Sequence, residues 1–211
     1  MVVVPKGFDR RRLPALLEAK RDWIENALQQ VEARAAEIAV ARRRPDTINL
    51  PAVDQRWRIE WRASDREDVS IERVGAFQLR GTGPIDDEVV WRSVLKRWLI
   101  ERGQVHLVPW TQEMVATLGI RIERITVRCQ RTRWGSYTTR PDREGTVSLN
   151  AQLLFLSHRL ARYVILHELC HAVYADHSAA FWDLVRRHEP ASDRLRGELR
   201  TAWRSVPAWV R

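Results

Sequence analysis

Cysteine is scarce: Cys129 and Cys170 are the only two in this 211-residue chain. That excludes a disulfide scaffold and a four-cysteine zinc ribbon, and it fits a reducing compartment. No apolar run approaches the length of a membrane span. The opening residues, MVVVPKGFDRRR, lack a basic segment ahead of an apolar stretch of signal-peptide length. The expectation is therefore a cytoplasmic protein with no membrane partner. Lysine is nearly missing too, occurring only at Lys6, Lys20 and Lys96, so arginine carries nearly all of a net charge of +9. Such a balance suits weak nucleic-acid association through a basic surface, and it equally suits a compositional habit with no partner behind it.

What is present patterns as an α+β chain. Residues 1–9 read as an extended lead-in, punctuated by Pro5 and Gly7. Residues 13–40 carry Leu16, Leu17, Trp23, Ile24, Leu28 and Val31 at helical spacing, and Arg42-Arg43-Arg44-Pro45 ends that helix. Trp57-Arg58-Ile59-Glu60-Trp61-Arg62 alternates with period two, so residues 48–80 are expected to form a small antiparallel sheet. Asp86 or Asp87 is placed to cap a helix bearing Val89, Val90, Val94, Trp98 and Leu99. Gly103 and Pro109 predict a break and a second, shorter helix over 104–118. Strands are expected at 121–133 and 146–150, with a loop over 137–145. Ser157 is expected to cap a helix reaching about Ala175, and helices near 178–188 and 191–204 follow. Residues 1–84 are expected as an N-terminal helix and strand region belonging to the same compact unit as a core over 85–211.

The chemistry concentrates in HELCHAVYADHSAAFW, residues 167–182. On a helix, positions i and i+4 share a face, so His167 and His171 point the same way and can grip one ion. Glu168 is turned by about 100° around the axis, within reach of a water beside that ion. This is the HExxH arrangement of zinc hydrolases. A catalytic zinc needs three protein ligands and an open position, and His177 is the candidate third ligand if the helix ends before it. The cofactor expected is Zn2+, with Glu168 as general base. The alternative is a buried His–Glu hydrogen-bond network with no ion. Metzincins also place the third histidine ten residues after the first, but they turn the chain on a glycine where this sequence has Tyr174. The only methionines, Met1 and Met114, offer no methionine turn.

The stretches QRTRWGSYT (130–138), VSLN (147–150) and YVILHELCHAVYADHSAAFW (163–182) resemble the YgjP-like family of metal-dependent hydrolases. The resemblance covers residues 85–190 closely and 1–80 loosely, and it extends to SprT-like proteases. It implies a zincin-like fold: a small mixed or antiparallel sheet packed on the HExxH helix, with His167, His171 and His177 on zinc and Glu168 catalytic. Tyr137 stands where the family usually has cysteine, and Asp176 where it often has asparagine.

Of the remaining residues, Arg133, Tyr137 and Tyr174 are candidate contacts to substrate or transition state. For Arg133 and Trp134 the stronger expectation is structural, with the guanidinium paired to a carboxylate and the indole packed on the active-site helix. Asn150 is expected to tie the strand end to the next helix. The tryptophans interleaved with arginine are expected to give a sheet with one buried aromatic face and one solvated face, the competing reading being a stacking surface for nucleic acid. The function expected is a metallopeptidase acting on peptide or protein substrates. The alternatives are a metal-dependent phosphohydrolase acting on nucleotides, or a nucleic-acid-associated module with a structural metal.

Overall fold

A computed structural model describes residues 13–140 and 143–211. The lead-in expected over residues 1–9 lies outside them. The chain divides into two compact units at Arg43–Arg44, whereas the sequence pattern drew its line after residue 84. The first unit contains helices α1 (Leu13–Ala19) and α2 (Arg21–Arg42). The single helix expected over 13–40 is thus two, parted by a turn at Lys20. Along them Leu16, Trp23, Leu28 and Val31 are exposed.

The second unit begins with a four-stranded sheet: β1 (Thr47–Leu50), β2 (Gln55–Ala63), β3 (Ser70–Gly75) and β4 (Gln78–Gly83). Its order is β1-β2-β4-β3. Here the antiparallel expectation is corrected, because β2 and β4 pair in parallel. Burial gives the reason. β4 buries Leu79, Gly81 and Gly83 and takes an interior place, while β3 exposes Glu72, Arg73 and Val74 and takes the edge. The period-two reading of β2 holds: Trp57 and Ile59 are buried and Trp61 half-buried, with Arg58, Glu60 and Arg62 in water.

Helix α3 runs unbroken over Glu88–Leu118, through both Gly103 and Pro109. The break expected there is absent for two physical reasons. Pro109 sits on the exposed side, and the carbonyl its missing N–H would have served belongs to Val105, also exposed, so water can satisfy it. Gly103 is buried, and its bare backbone lets α3 lie close to Val127 and Ala151. The glycine is a packing residue rather than a terminator. Asp87 caps the helix by accepting hydrogen bonds from the amides of Val89 and Val90, and Gly119 ends it in the left-handed conformation.

Three further strands make a second sheet: β5 (Ile122–Arg128), β6 (Gly135–Arg140) and β7 (Arg143–Asn150), ordered β5-β7-β6. β5 is parallel to β7 and β6 antiparallel to it, so this sheet is mixed. Within the loop expected over 137–145, residues 137–140 and 143–145 instead lie in the paired strands β6 and β7; Tyr137, Thr138 and Thr139 supply strand propensity that the neighbouring Pro141 and Gly145 obscured. A fully buried 3-10 turn, Ala151–Phe155, then leads to α4 (His158–Cys170), capped by Ser157 as expected. Helices α5 (Ala179–His188) and α6 (Ser192–Leu199) and a 3-10 turn (Ala202–Ser205) follow. The helix expected to reach 204 therefore ends at Leu199.

Helix α4 packs on β6 and β7 and against α3, α5 and α6. Leu149, Leu153, Leu154, Ile165, Leu169 and Phe181 are wholly inaccessible around it. This is the α+β, zincin-like arrangement that the resemblance implied. Among the described residues, no helix is long and apolar enough to cross a membrane. Gly→Ala inside a helix ordinarily stabilises by about 1 kcal/mol. At Gly103 a methyl group would lie 2.7 Å from Val127 Cγ1. Gly103→Ala is therefore expected to destabilise, by about 1–3 kcal/mol from overpacking, read as a lowered denaturation midpoint.

Candidate metal centre

Helix α4 buries Tyr163, Val164, Ile165, Leu166, Leu169 and Cys170 and leaves His167, Glu168 and His171 half-buried at one end. The helix was expected to reach about Ala175 but stops at Cys170, with His171 as its C-cap. Tight i→i+3 turns follow, in which Ala172 N–H bonds to the Leu169 carbonyl and Val173 N–H to the Cys170 carbonyl. This tightening turns the chain back toward the helix. The Asp176 carboxylate then accepts the Ser178 amide at 3.2 Å, and Ser178 caps α5 by accepting from Phe181 N–H. Phe181 is wholly buried, with its ring 5.1, 4.6 and 4.8 Å from those of His167, His171 and His177. His177 is thus held between a capped helix start and a buried anchor.

The three imidazoles converge. His167 and His171 have ring centroids 5.1 Å apart, His167 and His177 5.0 Å, and His171 and His177 4.8 Å. One ring nitrogen of each lies within 4.8 Å of the others. The Nε2 atoms of His167 and His177 approach to 3.1 Å. A single proton can bridge two such nitrogens but leaves the third imidazole unserved, whereas one cation serves all three. His171 Nδ1 lies 3.0 Å from the Tyr174 carbonyl, so it carries the proton and leaves Nε2 with a free lone pair.

Electrostatics favours the ligand form of His167 and His177. Burial, then repulsion from His171, His177 and Arg196, lowers the His167 pKa to about 4. Burial, His171 and Arg196 also lower that of His177, against a smaller opposing pull from Asp176. Neutral imidazoles are what a divalent metal binds. The all-nitrogen donor set suits zinc better than magnesium or calcium, which prefer oxygen. These residues therefore fit a zinc ion.

Glu168 sits beside the cluster, and burial pushes its carboxyl up to about 7 against the lowering effects of the Tyr137 backbone N–H and the Arg133 guanidinium. Strand β6 passes so close that a Cβ on Gly135 would lie 2.7 Å from Glu168 Cγ. Gly135 thus leaves the space that Glu168 occupies. Sequence reasoning missed it, although the glycine of Arg-Trp-Gly-Ser at a strand start is the signal of a close approach. The segment before β6 is pinned by Asn150, which is fully buried. Its amide donates to the carbonyls of Gln130 (2.9 Å) and Arg133 (2.7 Å). Its carbonyl accepts Gln152 N–H at 3.1 Å. Asn150 thus ties strand end to following turn, and it also clamps the approach to Gly135.

A cleft of about 700 Å³ opens from His167, Glu168 and His177. Trp134, Trp182 and Trp203 wall it, with Trp134 stacked on Trp203 at 3.9 Å. Arg133, Arg196 and Arg200 line it as well. Trp134 is buried, while Arg133 is exposed to the cleft and acts on Glu168 through its field. Tyr137 and Tyr174 are not among the lining residues. The Tyr137 hydroxyl rests against Gly145, so only its backbone amide faces Glu168, and Tyr174 contributes its carbonyl to His171. Arg196, Arg200 and Trp203 carried no sequence signal, because nothing in their spacing links them to α4.

A helix presenting three converging imidazoles and a carboxylate, packed on a mixed sheet beside an open cleft, defines the zincin-like metallopeptidase class. Within it, the chain belongs to the YgjP-like family: the family model for the YgjP-like metallopeptidase domain matches residues 1–202. Membership implies metal-dependent peptidase chemistry and a divalent metal. Among solved structures, the chain is similar to the crystal structure of the metallopeptidase zymogen abylysin of Pyrococcus abyssi. The two are 21% identical over 44% of this chain and 90% of that one, with a TM-score of 0.39. No curated protein matches.

Asn150→Ala leaves the Gln130 and Arg133 carbonyls without their buried donor. The expected cost is about 3 kcal/mol, measured by urea denaturation, and a loss below about 0.5 kcal/mol would contradict the clamp.

Proposed function

We propose that the chain is a zinc-dependent peptidase in which His167, His171 and His177 hold the ion and Glu168 is the general base. The observation that carries this reading is the convergence of three imidazoles next to a carboxylate at the head of an open cleft. When bound, zinc supplies Lewis acidity, polarising the substrate carbonyl and lowering the pKa of water toward about 7.

The chain's own residues do the rest. The Tyr174 carbonyl fixes the tautomer and orientation of His171. The Asp176–Ser178 turn and the buried Phe181 fix His177. Glu168 takes a proton from the attacking water at its carboxylate as the oxygen–carbon bond forms. It then gives that proton to the departing nitrogen as the carbon–nitrogen bond breaks, and is returned to its starting state. The Tyr137 amide and the clearance at Gly135 hold the carboxylate in position for both transfers. Trp134, Trp182 and Trp203 shield one side of the reacting bond from bulk water.

The test is hydrolysis of a diverse unstructured peptide pool, with metal content measured on the same preparations. Glu168→Gln is expected to lower kcat/KM by about 10²–10⁴ with zinc retained; equal hydrolysis by both proteins would end the assignment. His177→Ala is expected to lose zinc, and activity with it. Gly135→Ala, which displaces Glu168 without touching a ligand, is expected to cost about tenfold to a hundredfold in kcat with zinc content unchanged.

A further inference from the structure

Glu168 is the single carboxylate among the described residues lining the cleft, set against three guanidiniums, Arg133, Arg196 and Arg200. On the neighbouring helical surface arginines are paired: Arg159 with Glu189 at 2.7 Å, Arg162 with Glu113 at 3.0 Å, and Arg186 with Asp183 at 2.9 Å. Among the described residues, no carboxylate lies within ion-pair distance of the three cleft arginines. Arg196 is also held in place. The Arg196 guanidinium lies over the Trp182 ring, 4.4 Å from its centroid, and Trp182 in turn stacks on His177. The backbone of Arg133 is fixed by Asn150. A guanidinium resting on an indole keeps its donor fork free, and its ordering cost is already met before a ligand arrives.

We propose that Arg133, Arg196 and Arg200 select substrates that present a carboxylate beside the scissile bond, so that the enzyme cleaves acidic peptides. The proposal rests on the peptidase reading and adds the substrate class. The shared chemistry is the carboxylate, which an aspartate or glutamate side chain or a free C-terminus can supply. Unpaired guanidiniums in a half-enclosed cleft bind it by charge-assisted, bidentate hydrogen bonds. A lysine at the same place would meet three like charges.

The experiment measures binding separately from cleavage. Labelled peptides identical but for one glutamate, glutamine or lysine, each with a free or amidated C-terminus, are titrated by fluorescence anisotropy into full-length, zinc-loaded Glu168→Gln protein. The glutamate peptide is expected to bind about tenfold tighter than the glutamine one, with the lysine peptide weakest and the preference falling as salt rises. Dependence on the free C-terminus alone would assign the carboxylate to the chain end rather than to a side chain. Arg196→Glu and Arg200→Glu, checked for unchanged melting, are expected to abolish or invert the preference, and Arg196→Gln to weaken it. Equal binding of the glutamate and glutamine peptides whether their C-termini are free or amidated, with no gain from a free C-terminus, or preferred binding of lysine, overturns the proposal. So does an oligonucleotide that displaces every peptide and loses affinity in the same arginine variants. If acidic peptides bind with the expected preference but wild-type protein cleaves none, the peptidase reading fails while the carboxylate recognition stands.

Discussion

Burial of helix α4 is the constraint on which everything else depends. The helix must bury Val164, Ile165, Leu166 and Leu169 for the second unit to have a core, and the same placement carries His167 and Glu168 out of bulk water. Removing ionisable groups from water penalises their charged forms. The His167 imidazole is held toward its uncharged form, and the Glu168 carboxyl becomes easier to protonate than a surface glutamate. One packing decision thus sets the fold and tunes the reactive groups. Polar groups drawn out of water cost free energy unless something satisfies them, which is why three imidazoles facing one point read as a receptacle rather than as packing.

Around that helix the supporting structure is divided between two segments. The chain just after α4 delivers His177 by local means: a tightened turn, an aspartate closing on the next amides, a serine cap and a buried phenylalanine. The strand opposite Glu168 is governed from a distance, through Asn150, which holds the carbonyls of residues 130 and 133 and so fixes where Gly135 crosses the carboxylate. The first arrangement also brings the Asp176 carboxylate near enough to act on His177. The nearby positive charges sit on the cleft wall, where they act on His167, His177 and Glu168 through space.

What could be read in the sequence was what is local. The facing of His167 and His171 and the burial of Trp57 and Ile59 on one side of β2 follow from periods of 3.6 and 2.0, and the cap at Ser157 from a hydroxyl residue at a helix start, signals that survive into any fold. Gly103 and Pro109 misled because a glycine or proline carries the same letter whether it ends a helix or fits into one. The difference lay in Val127, Ala151 and solvent, none of them nearby in sequence. The parallel pairing of β2 with β4 was hidden because pairing direction leaves no mark on alternation. The cleft arginines were hidden because α6 meets α4 only through tertiary packing. Tyr137 and Tyr174 were singled out for their hydroxyls, yet both serve through their backbones, a role any residue type can fill.

Helix α3 spans about 46 Å at 1.5 Å per residue. Along that length it touches β3 in the first sheet, β5 in the second, the 3-10 turn before α4, and α4 itself. Its continuity makes it a strut. Continuous past Gly103 and Pro109, it joins both sheets and α4 along one line, so the cleft beside α4 is framed in part by an element that lines none of it.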